Sequence, residues 1–177
     1  MHPVIYDVAV SIDGFISGAD GDISQFAHQG PVVDDYLARL QTYHCAIMGR
    51  ATYEFGYGFG LQPGQNPYPR MRTYVFSNTI TLPDPADVTV VRGAFAEALP
   101  DLRRGSGPVY LCGGGQFAGA LLAQGRIDIL RLKRAPILLG SGVPLFGACS
   151  LPVTLTCSEA RSYDGGYLFQ EFTLNGA

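Results

Sequence analysis

One stretch narrows what this 177-residue chain can fold into more than any other: a strand-like run at 108–112, three consecutive glycines, and a helical run at 116–124. Glycines between a strand and a helix let backbone N–H groups approach an anion, and the helix start adds partial positive charge. A tight strand-to-helix turn with no ligand satisfies the same pattern. Gly113, Gly115 and Ala118 also meet the G-x-G-x-x-A spacing of dinucleotide-binding turns. A standard Rossmann domain places that motif early and an acidic residue about 20 positions further on. Here the motif is late and the later region reads Leu132-Lys133-Arg134. The expectation is phosphate binding outside a standard Rossmann domain.

The same grammar occurs upstream. Residues 4–11 read as a first strand closed by the Asp13-Gly14 turn, and 12–30 as a long loop with a second turn at 18–22. Pro31 suits a first helical turn, and Val33, Tyr36, Leu37, Leu40 and Tyr43 form a helical stripe. Residues 45–48 form a buried strand ending at Gly49, followed by a short helix around 51–54 that dissolves in the glycine- and proline-rich run 56–69. Strands follow at 73–76, closed by Ser77-Asn78, and at 88–91, followed by Arg92. A helix over 95–104 is disturbed by Pro100, and Gly125 terminates the 116–124 helix. After Ile127 only strand-like runs remain, near 127–139, 152–158 and 167–174. The pattern predicts an α/β fold: one domain over 1–177 with a mainly parallel sheet and antiparallel strands at one edge.

Composition excludes several classes. Hydrophobic residues make up 47% and charged residues 15%, so wholesale disorder is excluded. A net charge of −3 argues against a nucleic-acid partner. Lys133 is the only lysine and the remaining cations are arginines, whose guanidinium grips phosphate and carboxylate in a bidentate way. Cys45, Cys112, Cys149 and Cys157 lack paired spacing and read as reduced thiols. His2, His28 and His44 are isolated, so no metal is expected. The N-terminal MHPVIYDVAV lacks a basic n-region and a long apolar core, and no apolar run approaches ~20 residues. A cytoplasmic protein with no membrane partner is expected. No G-x-S-x-G elbow is present, which argues against an α/β-hydrolase.

Five segments then combine in order: Ser11-Ile12-Asp13-Gly14-Phe15-Ile16; Met48-Gly49-Arg50-Ala51-Thr52-Tyr53-Glu54; Phe76-Ser77-Asn78; Cys112-Gly113-Gly114-Gly115; and the run APILLGSGVPLF at 135–146. Together they resemble the dihydrofolate-reductase-like superfamily, and within it the riboflavin-biosynthesis reductase (C-terminal) domain branch, over nearly the whole chain. The resemblance implies a three-layer α/β/α fold, NADPH as cofactor and hydride transfer. It implies that Gly49, Arg50 and Thr52 meet cofactor phosphate, and that Ser77, Asn78 and Arg92 hold the adenosine end. Gly113, Gly114, Gly115, Gln116 and Phe117 would cradle the pyrophosphate. Ala9 and the segment ending at Ile16 would border the nicotinamide.

Departures from the family pattern bear on the substrate side. Dihydrofolate reductases carry a tryptophan in the loop before the first helix, and this chain has none; Phe26 is the nearest substitute. Asp34, followed by Asp35, stands near the position of the helix carboxylate that holds the pterin, and is the candidate catalytic and substrate-binding residue. Two aspartates opening a helix also suit the macrodipole alone. Asp13 is a candidate substrate neighbour, though an Asp-Gly pair is first a turn former. Ile129 stands where the family often has a glutamate, and no H-x-E or P-C-x-x-C deaminase signature is present. The expected activity is NADPH-dependent reduction of a pteridine or ribosylamino-pyrimidine, with Arg50 and Arg92 selecting NADPH over NADH. The alternative is a nucleotide-binding or regulatory module that keeps the cleft without the chemistry. The strands after Ile127 read as an apolar edge that invites pairing, and the resemblance implies a homodimer built there.

Overall fold

The computed structural model describes residues 1–175; residues 176 and 177, the end of the expected domain, lie outside them. Among the described residues, ten strands and four α-helices follow one another, with strands alone after the last α-helix. β1 (Val4–Val10), β3 (Cys45–Gly49), β4 (Arg72–Phe76), β5 (Thr89–Val91), β6 (Val109–Gly113) and β7 (Ile129–Arg134) run parallel. β9 (Leu155–Ser162) and β10 (Leu168–Leu174) complete an eight-stranded sheet of order β5-β4-β3-β6-β1-β7-β10-β9, and both β10 pairings are antiparallel. The predicted parallel sheet with an antiparallel edge is therefore what forms.

The central strands explain why the sheet is covered on both faces. Cys45, Ala46, Ile47 and Met48 of β3 are all buried, so this strand has no polar side to expose. On one face Ile5, Ala46, Met48, Val75 and Tyr110 pack under Leu40 of α1 (Pro31–Leu40) and Tyr53 of α2 (Arg50–Phe55). On the other, Val4, Tyr6, Ile47 and Leu111 pack under α3 (Phe95–Leu102) and α4 (Gly115–Leu122). Three layers, α/β/α, result.

Several local expectations shift. Pro100 lies inside α3 without splitting it, because Leu99 and Leu102 on either side are buried against the sheet. α4 begins one residue earlier than the sequence suggests, at Gly115. The 12–30 loop contains β2 (Phe15–Ser17), which pairs with β8 (Val143–Pro144) in a separate two-stranded sheet. β7 stops before Pro136, and β9 extends to Ser162 through a sequence exposed along its whole length. That outer strand reads LTCSEARS, so the sheet edge is polar rather than the apolar one expected.

Candidate active site

Six parallel strands bring their carboxyl ends to one edge, and the turns after them carry the polar residues. β3 and β6 are neighbours, with Met48 opposite Gly113, so their two glycine turns meet. A Cβ on Gly49 would lie 3.3 Å from the Cβ of Phe117, and one on Gly114 would lie 3.0 Å from Thr52 Oγ1. A Cβ on Gly115 would reach within 2.2 Å of the Pro144 carbonyl oxygen, a position no side chain tolerates. Gly113 has φ +121°, and the Gly113–Gly114 peptide is cis. No side chain caps α4, so the amides of its first turn have no intrahelical or side-chain partner. The result is a backbone cradle with open N–H groups beside the Thr52 hydroxyl. Such donors, at a helix start, suit a phosphate.

The remaining residues at this edge are anchored in different ways. Phe117 turns its ring into an aromatic cluster, stacked on Phe76 at 5.3 Å and edge-on to Phe95 at 6.2 Å. What it offers the cradle is its amide. Arg50 is half-exposed, donates to Thr79 Oγ1 at 3.2 Å and approaches Glu54 at 3.6 Å. Ser77 Oγ accepts from the Thr79 and Ile80 amides, and Asn78 Oδ1 accepts from the Gly93 amide. Arg92 donates to the Ile80 carbonyl at 2.9 Å and to the Ser77 carbonyl at 3.4 Å. Ser77, Asn78 and Arg92 thus brace the two loops that follow β4 and β5.

Ala9 stands near the end of β1, Ser11 just after it and Ile16 in β2. Asp13 is fully engaged there: Ser11 Oγ donates to it at 2.6 Å, the Leu139 amide at 3.1 Å and the Gly140 amide at 2.7 Å. The Ser11 hydroxyl, then the Gly140 and Leu139 amides, hold its carboxyl below the ordinary range. It is a clamp between two loops. Phe26 is buried, 7% exposed. Asp34 is exposed, and its carboxylate has no hydrogen-bond partner among the described residues. The neighbouring Asp35 is the engaged one, accepting from Arg161 and from Tyr163 Oη at 2.6 Å each.

The structure also reveals a polar cluster that sequence reading missed, on the α1 face of the sheet. Asp7, with a side chain 0% exposed, accepts from Arg39 Nε at 2.8 Å, Arg39 Nη2 at 3.2 Å, Tyr43 Oη at 2.9 Å and Lys133 Nζ at 3.2 Å. Burial alone would raise the Asp7 carboxyl; the Lys133 and Arg39 cations and the Tyr43 hydroxyl overcome it and hold the carboxyl low. Lys133 lies 3.4 Å from the centroid of the Tyr36 ring, and Tyr36 Oη lies 2.7 Å from Tyr110 Oη. Tyr68 Oη contacts Cys112 Sγ at 3.2 Å. Burial pushes the phenols of Tyr36, Tyr68 and Tyr110 and the Cys112 thiol up. The available signal was one acid inside the apolar strand sequence VIYDVAV and the chain's only lysine. A cavity of about 470 Å³ between Tyr43, His44, Arg70, Arg72 and Asp87 opens at the opposite, amino edge of the strands.

A mainly parallel sheet covered on both faces, with two glycine turns meeting at its carboxyl edge and antiparallel strands closing one side, defines a dihydrofolate-reductase-like α/β domain. The Enterococcus faecalis dihydrofolate reductase complexed with NADP(H) and RAB-propyl superposes with a TM-score of 0.68 at 19% identity, over 98% of this chain and 96% of that one. A proposed riboflavin biosynthesis protein of Shewanella sp. PV-4 superposes with a TM-score of 0.82 at 24% identity, covering 98% and 99%. The chain belongs to the RibD C-terminal domain family, whose family model matches residues 2–169. The uncharacterized protein YwjB of Bacillus subtilis (strain 168) is 31% identical over 147 residues, 81% of each chain.

Proposed function

We propose that this protein is an NADPH-dependent reductase acting on a pteridine or a ribosylamino-pyrimidine. The observation that carries the reading is the cradle: open amides at the start of α4, beside Thr52, in a space that a Cβ at Gly114 would invade. The cradle fits a pyrophosphate in shape and charge. Gly49, Thr52, Gly113, Gly114, Gly115, Gln116 and Phe117 would hold it, and Ser77, Asn78 and Arg92 would shape the adenosine end. When bound, NADPH supplies hydride from the nicotinamide, and the protein binds, orients and excludes water. Ala9 and Ile16 border that ring in this reading. Family membership and the NADP(H) complex of the E. faecalis enzyme support it.

Asp34 does not serve as catalytic carboxylate in this reading, because it faces solvent; its exposure is also the observation that favours a binding module without turnover. The two readings separate when purified protein is mixed with NADPH and a panel of pterins and ribosylamino-pyrimidines. Loss of nicotinamide absorbance with at least one of them is the expected result. Tight NADPH binding with no oxidation across the panel would identify the module instead.

A further inference from the structure

Two cations of the buried cluster on the α1 face, Arg39 and Lys133, keep N–H donors that no acceptor among the described residues fills, and of the two only the lysine can release a proton. Lys133 is one residue from the carboxyl end of β7 and pairs with Ala9 of β1, on the face that carries Tyr36. Its side chain is 12% exposed. An ammonium has three N–H donors. One is used on Asp7, and among the described residues no other acceptor takes the remaining two. The Tyr36 ring face, 3.4 Å from Nζ, meets part of the charge, but a π face does not replace an acceptor for the remaining N–H groups. Asp7 cannot balance the charge alone, since the same carboxylate also faces Arg39.

Resting on the reductase reading above, we propose that Lys133 is the proton donor of the substrate half of the cleft. Its ammonium meets the oxygen or nitrogen of the C=O or C=N bond that is reduced. The electrophilic carbon receives the nicotinamide hydride, and the π pair moves onto the heteroatom. That atom takes a proton from Lys133 Nζ, and the resulting amine regains one from solvent.

The other titratable groups nearby do not fit the role. Asp7 is saturated by four donor contacts and acts as a positioning residue for Lys133. Tyr36, Tyr68, Tyr110 and Cys112 hold their protons more tightly than usual because they are buried. Burial pushes Lys133 the other way, towards easier release, with Arg39 adding to the effect and Asp7 and Cys112 opposing it. Across the ladder on β10, Lys133 faces Phe169, which carries no charge.

Because Lys133 is the only lysine, isotope-labelled lysine gives a single side-chain NMR signal. The experiment follows that signal in wild type, with NADP⁺ and either 7,8-dihydropterin or 5-amino-6-ribosylaminouracil as probe. NADPH affinity and single-turnover oxidation are measured in wild type, Lys133→Met and Lys133→Arg. The expected titration midpoint lies below the usual ~10.4, and the signal moves when a probe binds. Both variants bind NADPH within about twofold of wild type, yet lose roughly 10²- to 10⁴-fold in hydride-transfer rate, since a guanidinium keeps the charge and releases no proton. The wild-type rate falls as pH rises through the lysine midpoint, while the variants show no such limb. Intact NADPH binding with an unmoved lysine signal, or with variants as fast as wild type, overturns the role of Lys133 alone. Wild type that binds no NADPH overturns the reductase reading and this assignment together.

Discussion

Individual residues shape the proposed cofactor site through what they exclude. Gly114→Asp sets a carboxylate against the proposed pyrophosphate and forces Thr52 to yield at 3.0 Å, a contact a side chain can relieve by rotating. The variant is expected to stay folded by circular dichroism and to lose NADPH binding by more than about 100-fold, that is, over roughly 2.7 kcal/mol. Arg50 and Arg92 differ as probes of the extra NADPH phosphate. A charge-assisted hydrogen bond contributes about 1.5–3 kcal/mol, so removing one weakens NADPH by roughly 10- to 150-fold. Arg92 also braces the Ser77 and Ile80 carbonyls, so Arg92→Ala is expected to lower thermal stability as well. Arg50→Ala touches only Thr79 and Glu54 and reports on the cofactor more directly. Comparative titration of NADPH and NADH checks this: equal affinities in wild type contradict it. Asp7 is a separate case, buried between two cations. Asp7→Asn leaves Lys133 and Arg39 uncompensated and is expected to cost about 3–5 kcal/mol in urea unfolding. Since the folded Asp7 carboxyl is held below its ordinary value near 3.9, its contribution is full above about pH 4 and is lost as pH falls towards the folded value. The Asp7→Asn variant should lack that acid limb.

At the scale of elements, the parts legible in the sequence are those whose information is local. β3, β4 and β6 are short runs, mostly apolar, stopped by a glycine or polar turn, so they and the cradle glycines fall where residue order alone puts them. β2 and β8 escaped because three and two residues carry no periodicity. β9 extended further than read because an edge strand exposed on both faces has no apolar face to signal it. The Asp7–Arg39–Tyr43–Lys133 cluster joins residues up to 126 positions apart, so no local pattern could announce it. Asp13 shows the same limit: the Asp-Gly pair identifies the turn, but not its reach across to the Leu139 and Gly140 amides. That clamp ties the loop after β1 to the 137–142 segment. Asp13→Asn is expected to speed hydrogen exchange at the Leu139 and Gly140 amides while leaving β6 and β3 unchanged. Equal exchange in the variant contradicts the clamp.

The whole molecule presents a second surface besides the proposed cofactor edge. β9 ends the sheet with unpaired backbone groups and side chains exposed along its length, and edge strands of this kind invite pairing. Its Thr, Ser, Glu and Arg content calls for a polar, hydrogen-bonded contact rather than an apolar one. Light scattering is expected to give twice the chain mass at micromolar concentration, and a monomer mass at every concentration contradicts the homodimer. The central claim is that the carboxyl edge holds NADPH between the two glycine turns. Amide NMR of uniformly labelled protein during NADPH titration tests it most directly. The largest shifts are expected on Gly49, Thr52, Gly113, Gly114, Gly115, Gln116 and Phe117; saturating NADPH that leaves those amides unmoved rules the placement out.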